Sequence, residues 1–219
     1  LSSLKIITTQ DGSHSLLNEA LDETYHSRHG AVQESEYVFI EKGLNFMLDS
    51  DKESVSILEV GFGTGLNALL TVNSSEKSKI NIAYSTLETH PIPEEIWSTL
   101  NYSTNKFLFE KIHTSAWNEW VAVTSHFKLL KREESLQAVN LSDQQFDLIY
   151  FDAFAPNKQP EMWEHSLLQK ISKSMKSGAV FVTYCAKGQL KRDLKSLGLV
   201  VESLPGPPGK REMVRAIKM

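Results

Sequence analysis

The chain has 219 residues, 41% hydrophobic and 23% charged, which is enough for one complete core and short for two. No apolar run approaches bilayer length, and Leu1-Ser2-Ser3-Leu4-Lys5 lacks the basic, apolar and small-residue order of a secretory signal, so a cytoplasmic protein without membrane contact is expected. The formal net charge of -4 does not point to a general nucleic-acid binder; the single Cys185 excludes an internal disulfide, and seven His at no zinc-ligand spacing leave no metal expected.

In chain order, residues 1–53 read as an N-terminal extension and 54–219 as a single α/β core with strands and helices in alternation, which argues for a mainly parallel sheet. Ser54 to Val60 is the first strand of that core and Leu66 to Val72 its helix. Asn81 to Glu88 is the second strand, followed by a turn at Pro91 and Pro93 and a helix from Glu94 to Leu100. Trp117 to Ser125 reads as helical, and Phe127 to Val139 alternates loosely in the manner of a strand. Phe146 to Phe151 is a clear strand, Glu161 to Met175 an amphipathic helix stopped by Gly178, and Ala179 to Cys185 a second buried strand that makes Cys185 a core residue. A helix over Gln189 to Leu197 and strands over Leu199 to Leu204 and Glu212 to Lys218 complete the chain, the last two joined by Pro205-Gly206-Pro207-Pro208-Gly209, too long and rigid for a tight hairpin.

Two strand exits carry chemistry. Asp152-Ala153-Phe154-Ala155-Pro156 ends the strand at Phe151 with a carboxylate, and Pro156 prevents its continuation. In open α/β sheets ligands bind beyond the carboxyl ends of the strands, so an acid at such an exit meets a substrate; read alone, it is more often a cap. The upstream strand runs into Gly61-Phe62-Gly63-Thr64-Gly65-Leu66-Asn67. The sixth position of a dinucleotide fingerprint is Leu66 here, and no Lys-Ser/Thr pair follows, so neither a dinucleotide turn nor a P-loop fits. A G-x-G-x-G turn that brings bare backbone to a ligand suits S-adenosylmethionine, with Glu88 at the next exit placed to accept the ribose hydroxyls.

Three segments carry a family resemblance. Leu58-Glu59-Val60-Gly61-Phe62-Gly63-Thr64-Gly65-Leu66-Asn67, the block from Asp152 through Asn157-Lys158-Gln159-Pro160-Glu161-Met162-Trp163, and Gly209-Lys210-Arg211-Glu212-Met213 resemble the methyltransferase domain of the MnmC family, and Tyr25-His26-Ser27 with Glu34-Ser35-Glu36-Tyr37-Val38-Phe39-Ile40 extends the likeness over nearly the whole chain. The block from Asp152 to Trp163 is the specific part, since many methyltransferases share the glycine turn. The resemblance implies a Rossmann-like fold and transfer of a methyl group from S-adenosylmethionine to 5-aminomethyluridine at the tRNA wobble position, in a stand-alone form without the flavin-dependent oxidase domain of bifunctional relatives. It further implies cofactor contacts at Tyr25, Ser27, Glu36, Glu59, Gly61, Gly63, Gly65 and Glu88, a catalytic Asp152, and substrate contacts at Phe154, Pro156, Lys158, Trp163, Lys210 and Arg211. Relatives often carry Gly-Asp after the third strand to hold the adenine; the counterpart here is Glu133-Glu134-Ser135, with Glu133 or Glu134 as the candidate contact.

An alkyl ammonium has no lone pair with which to attack a sulfonium methyl. Asp152, with an ordinary pKa of about 3.9, is expected to orient the amine and stabilise its developing charge while water takes the proton; burial that raised the pKa would make it a base. Phe154 or Trp163 would stack on a flipped-out base. From Lys187 onward eight Lys or Arg face three acids, a +5 segment on a -9 body, which, with the lack of a second acid beside Asp152, favours tRNA as partner over a methyl- or aminopropyltransferase acting on a small amine; Gly61, Gly63, Gly65, Glu88 and Asp152 together argue against a catalytically inert module that only binds RNA or a protein.

Overall fold

The first N–H groups of a helix lack partners within it, and the N-terminal extension supplies them from a neighbouring hairpin. The computed structural model describes residues 4–48, 52–102 and 105–219. Strands β1 (Leu4–Thr8), β2 (His14–Asn18) and β3 (Glu23–Thr24) form an antiparallel sheet. In the β1 to β2 turn, Ser13 Oγ accepts from the Ala31 N–H at 3.1 Å and Asp11 Oδ2 from the Gln33 N–H at 3.1 Å. These bonds cap α1 (Ala31–Ser35), which continues through a π-helical stretch (Glu36–Asn45) into α2 (Phe46–Leu48) and buries Val38, Phe39, Leu44 and Met47.

The remaining elements are β4 (Ser54–Val60), α3 (Leu66–Ser78), β5 (Asn81–Leu87), α4 (Glu94–Trp97), α5 (Lys106–Thr114), β6 (Trp120–Ala122), β7 (Phe127–Arg132), β8 (Phe146–Phe151), a 3-10 turn (Pro160–Trp163), α6 (His165–Ser174), β9 (Met175–Thr183), α7 (Gly188–Ser196), β10 (Leu199–Pro205) and β11 (Glu212–Lys218). They build an eight-stranded sheet in the order β10-β11-β9-β8-β4-β5-β7-β6. The strands from β9 to β7 run parallel, and β6, β10 and β11 add antiparallel edges. This is the expected Rossmann-like, mainly parallel sheet. Side chains two apart on a strand share a face. Ile57, Tyr84, Leu148, Tyr150 and Val182 therefore pack with the N-terminal helix and α3, while Leu58, Val60, Phe151 and Phe181 pack with α6 and α7. Among the described residues no helix is long and apolar enough to cross a membrane.

Several local expectations change. Trp117 to Ser125 is not helical: Asn118 has φ 63°, and Trp120 and Val121 pair antiparallel with Leu130 and Leu129. A helix that the sequence reading passed over, α5, lies just before it, capped by the Asn105 side chain on the Leu108 N–H. The helix at Glu94 stops at Trp97 rather than Leu100, and the alternating stretch from Phe127 is strand only to Arg132. The long helix expected over Glu161 to Met175 is a 3-10 turn followed by α6, and Met175 already belongs to β9, with Gly178 inside that strand. Strands β10 and β11 do pair, from Leu199 with Lys218 to Pro205 with Glu212, across the 206–211 loop.

Candidate active site at the strand exits

Strand order reverses between β4 and β8, and the chain leaving each strand lines one cleft of about 1280 Å³. Gly61, Gly63 and Gly65 have φ of 94°, 50° and 72°, a region that side chains with a Cβ enter at a cost. A Cβ on Gly61 would stand 2.8 Å from the Asp152 carbonyl oxygen, so this glycine lets the two strand exits touch. The turn is held from the side as well. The N–H groups of Gly61 and Phe62 both donate to the Leu87 carbonyl at 3.1 Å. Glu88, the next residue, accepts from Gly63 N–H at 2.9 Å through Oε2, and from Thr89 and His90 N–H at 2.8 Å each through Oε1. Its carboxylate thus fixes the turn while facing the cleft, with acceptor capacity left for a hydroxyl. A bare glycine cradle beside an acid at a strand exit fits the ribose and amino-acid end of S-adenosylmethionine.

Behind the turn, His113 stacks on Trp97 at 4.7 Å, and burial holds its pKa down to about 3. The neutral ring donates Nε2–H to the Thr64 carbonyl at 3.1 Å, since a carbonyl only accepts. Lys131 is buried beneath Phe62 and Trp117, and its ammonium donates to the His113 carbonyl.

On the opposite side, Asp152 N–H donates to the Val60 carbonyl at 3.0 Å, which extends the β4 to β8 pairing by one bond and aims the side chain into the cleft. Asn67, on the first turn of α3, donates Nδ2–H to Asp152 Oδ2 at 2.9 Å. Burial, and then the charge of Glu34, push the Asp152 pKa up to about 7 against the opposing pull of Asn67 and Lys210. Of the two cases the sequence left open, this is the buried carboxyl with a raised pKa, the one suited to a base. Glu34 is 6% exposed, accepts from the Ser27 N–H at 2.7 Å and is paired with the Lys210 ammonium. The same ammonium lies 3.8 Å from the centre of the Tyr184 ring, and Tyr184 OH donates to the Ala153 carbonyl at 2.9 Å. His26 completes the wall and is neutral, because burial lowers its pKa to about 4.

Of the residues singled out from sequence, Tyr25, Ser27, Gly61, Gly63, Glu88, Asp152, Phe154 and Lys210 line this cleft. Tyr25 and Phe154 meet edge to face at 5.1 Å and form one apolar wall. Gly65 stands behind the cleft as the N-cap of α3. Others lie elsewhere. Glu59 is 0% exposed beneath the turn, where Thr86 Oγ1 donates to it at 2.7 Å and burial raises its pKa to about 8; it supports the turn from below and does not reach the cleft. Glu36 is exposed on the π-helical stretch, and Glu34 takes its place in the cleft wall. Glu133 points out to solvent, whereas Glu134, in an ion pair with Arg132 at 3.0 Å, faces the cleft with Ser135. Trp163 is 8% exposed, donates Nε1–H to the Phe154 carbonyl at 2.8 Å and packs on Phe151, so it braces the loop and offers no face to a base. Lys158 lies 3.6 Å from Asp22. Pro156, Lys210 and Arg211 line a second, adjoining cavity of about 440 Å³ with Lys187.

The basic C-terminal segment is less available than its count suggests. Lys191 pairs with Glu212, Arg215 with Glu202 and Lys210 with Glu34, and Lys218 is held by the Ser172 and Met175 carbonyls. Lys187 and Arg211 are exposed at the second cavity. Sequence reading gave no role to Glu34, Asn67 or Tyr184, although Glu34 and Asn67 stand in the quoted family segments.

Over residues 105–219 the chain matches a family described as S-adenosyl-L-methionine-dependent methyltransferase. It is 26% identical over 214 residues to the tRNA 5-methylaminomethyl-2-thiouridine biosynthesis bifunctional protein MnmC of Nitrosospira multiformis, covering 91% of this chain and 35% of that protein. It is 28% identical over 215 residues to the protein of the same name from Leptospira interrogans, covering 90% and 33%. The chain thus spans about a third of the length of these curated relatives. Among solved structures, MNMC2 from Aquifex aeolicus is similar with a TM-score of 0.81 at 26% identity, covering 100% of this chain and 71% of that one. Streptomyces venezuelae DesVI shares the fold with a TM-score of 0.52 at 11% identity, covering 86% and 92%.

Proposed function

The chain belongs to the family of S-adenosyl-L-methionine-dependent methyltransferases, and from that premise we propose that it is a cytoplasmic enzyme methylating the amine of 5-aminomethyl-2-thiouridine at the tRNA wobble position. The likeness to MnmC proteins along nearly the whole chain supports this substrate. The observation that carries the chemistry is Asp152, raised to about 7 at the floor of a cleft whose other wall is a glycine cradle.

When bound, S-adenosylmethionine would supply the methyl group, the carbon–sulfur electron pair staying with sulfur, to an amine nitrogen that gives up one proton. Gly61, Gly63 and Glu88 would hold it, with Glu134 and Ser135 toward the adenine. Asp152 takes the proton. A carboxylate near pKa 7 is a far better base toward an amine than an ordinary aspartate, and Asn67 on Oδ2 leaves Oδ1 to face the nitrogen. Tyr25 and Phe154 present aromatic surface on which the extruded uracil stacks. Lys187 and Arg211 meet the RNA backbone beside the cleft.

Labelled methyl transfer tests the reading. Bulk tRNA carrying the 5-aminomethyl group should accept label from S-adenosylmethionine, and tRNA lacking that group should not. Faster transfer to spermidine-type amines than to tRNA would favour a small-amine enzyme.

A further inference from the structure

Lys210 occupies an unusual position for a residue on a basic, RNA-facing segment. Its ammonium is turned inward, held between the buried Glu34 carboxylate and the face of Tyr184 in the same cleft as Asp152. A carboxylate beside an aromatic face is a general seat for an alkylammonium ion, through charge on one side and ring quadrupole on the other. The amine acceptor, before it loses its proton, is an alkylammonium ion too. Were the seat open, the protonated acceptor would settle there with no lone pair to offer.

We propose that Lys210 is a specificity-determining residue, a resident cation that fills the seat made by Glu34 and Tyr184 and so excludes the protonated form of the acceptor from the cleft. This rests on the amine-methylation reading above. The charge around the seat is simple. Asp11, Glu23, His26 and Glu34 face it from the N-terminal segment, Asp152 from the β8 exit, Tyr184, Cys185 and Lys187 from the β9 exit, and Lys191 from α7. His26, Tyr184 and Cys185 are kept neutral by burial, which leaves the two carboxylates nearest the cleft floor with Lys210 as their cation. An acceptor that arrives neutral meets Asp152, whereas one that arrives charged finds its counter-ion already taken.

Lys210→Met removes the ammonium that fills the seat and keeps the apolar stem of the side chain. Methylammonium added to this variant, without cofactor or tRNA, should raise its melting temperature with the logarithm of its concentration once above Kd, and should leave the wild-type protein and Lys210→Arg unmoved. The double variant Lys210→Met, Glu34→Gln should lose that response. In turnover, the open seat should hold the protonated amine unproductively, so kcat and KM of Lys210→Met for aminomethylated tRNA should fall together, several-fold relative to wild type, as the pH is lowered, and Lys210→Arg should restore the wild-type profile. Absence of methylammonium stabilisation in Lys210→Met, or a KM profile parallel to that of wild type, would overturn the proposal. A methylammonium response together with no wild-type transfer to aminomethylated tRNA would leave the seat standing and remove the substrate reading instead.

Discussion

Replacing Asp152 by Asn keeps the size of the side chain and the contact with Asn67 and removes the titration. The native carboxyl holds its proton up to a pH of about 7, against 3.8 for the ordinary group, because it is buried and faces the Glu34 charge. Between those two values the native state binds a proton that the unfolded chain has released, so this group's contribution to stability falls as pH rises through the window and is flat above it. Three pKa units correspond to an upper bound of about 4 kcal/mol, and partial solvent access at the cleft reduces this to about 1–3 kcal/mol. Two of those three units lie above pH 5, so the stability of Asp152→Asn relative to the wild-type protein should rise by about 1–2 kcal/mol on going from pH 5 to pH 8, as read from urea unfolding at each pH. Methyl transfer by the same variant should fall by a factor of about a hundred or more, with cofactor affinity nearly unchanged. Wild-type kcat should rise with pH through about 7. A stability difference independent of pH, or a wild-type profile that turns near pH 4, would refute the raised carboxyl and with it the base role.

Glu88→Ala removes the acceptor of the Gly63 N–H together with the proposed ribose partner, and calorimetry should show S-adenosylmethionine affinity weaker by about 1–3 kcal/mol. Gly65→Ala places a Cβ 2.9 Å from His113 Nε2 at φ 72°, and urea unfolding should show a loss of about 1–3 kcal/mol. Lys187→Ala with Arg211→Ala should weaken tRNA binding and flatten its dependence on salt by about two counterions, with cofactor affinity unmoved; an unchanged salt slope would remove these two side chains from the RNA surface.

The strands that place the site were legible because β-branched and aromatic runs such as Phe146 to Phe151 end on acids and glycines, and both strand exits could be located from that punctuation alone. Helix α5 was not, since Phe107 is 74% exposed and spoils the apolar stripe that Phe109 and Ile112 would otherwise define. The choice of Glu36 over Glu34 failed for a similar reason. Residues two apart on a helix point in different directions, and only the docking of α1 decides which of them meets the cleft. Lys210 finds Glu34 across 176 residues of chain, a contact no local pattern announces. The pKa of Asp152 depends on that same non-local assembly, which is why the sequence leaves open whether it is an ordinary carboxylate or a base.

The most direct test of the central claim is nucleoside analysis of tRNA after reaction. Aminomethylated tRNA incubated with S-adenosylmethionine and the wild-type protein should yield 5-methylaminomethyl-2-thiouridine at the wobble position on digestion and mass spectrometry, and Asp152→Asn should leave the 5-aminomethyl nucleoside unconverted. Label recovered at another position, or equal conversion by Asp152→Asn, would contradict the assignment.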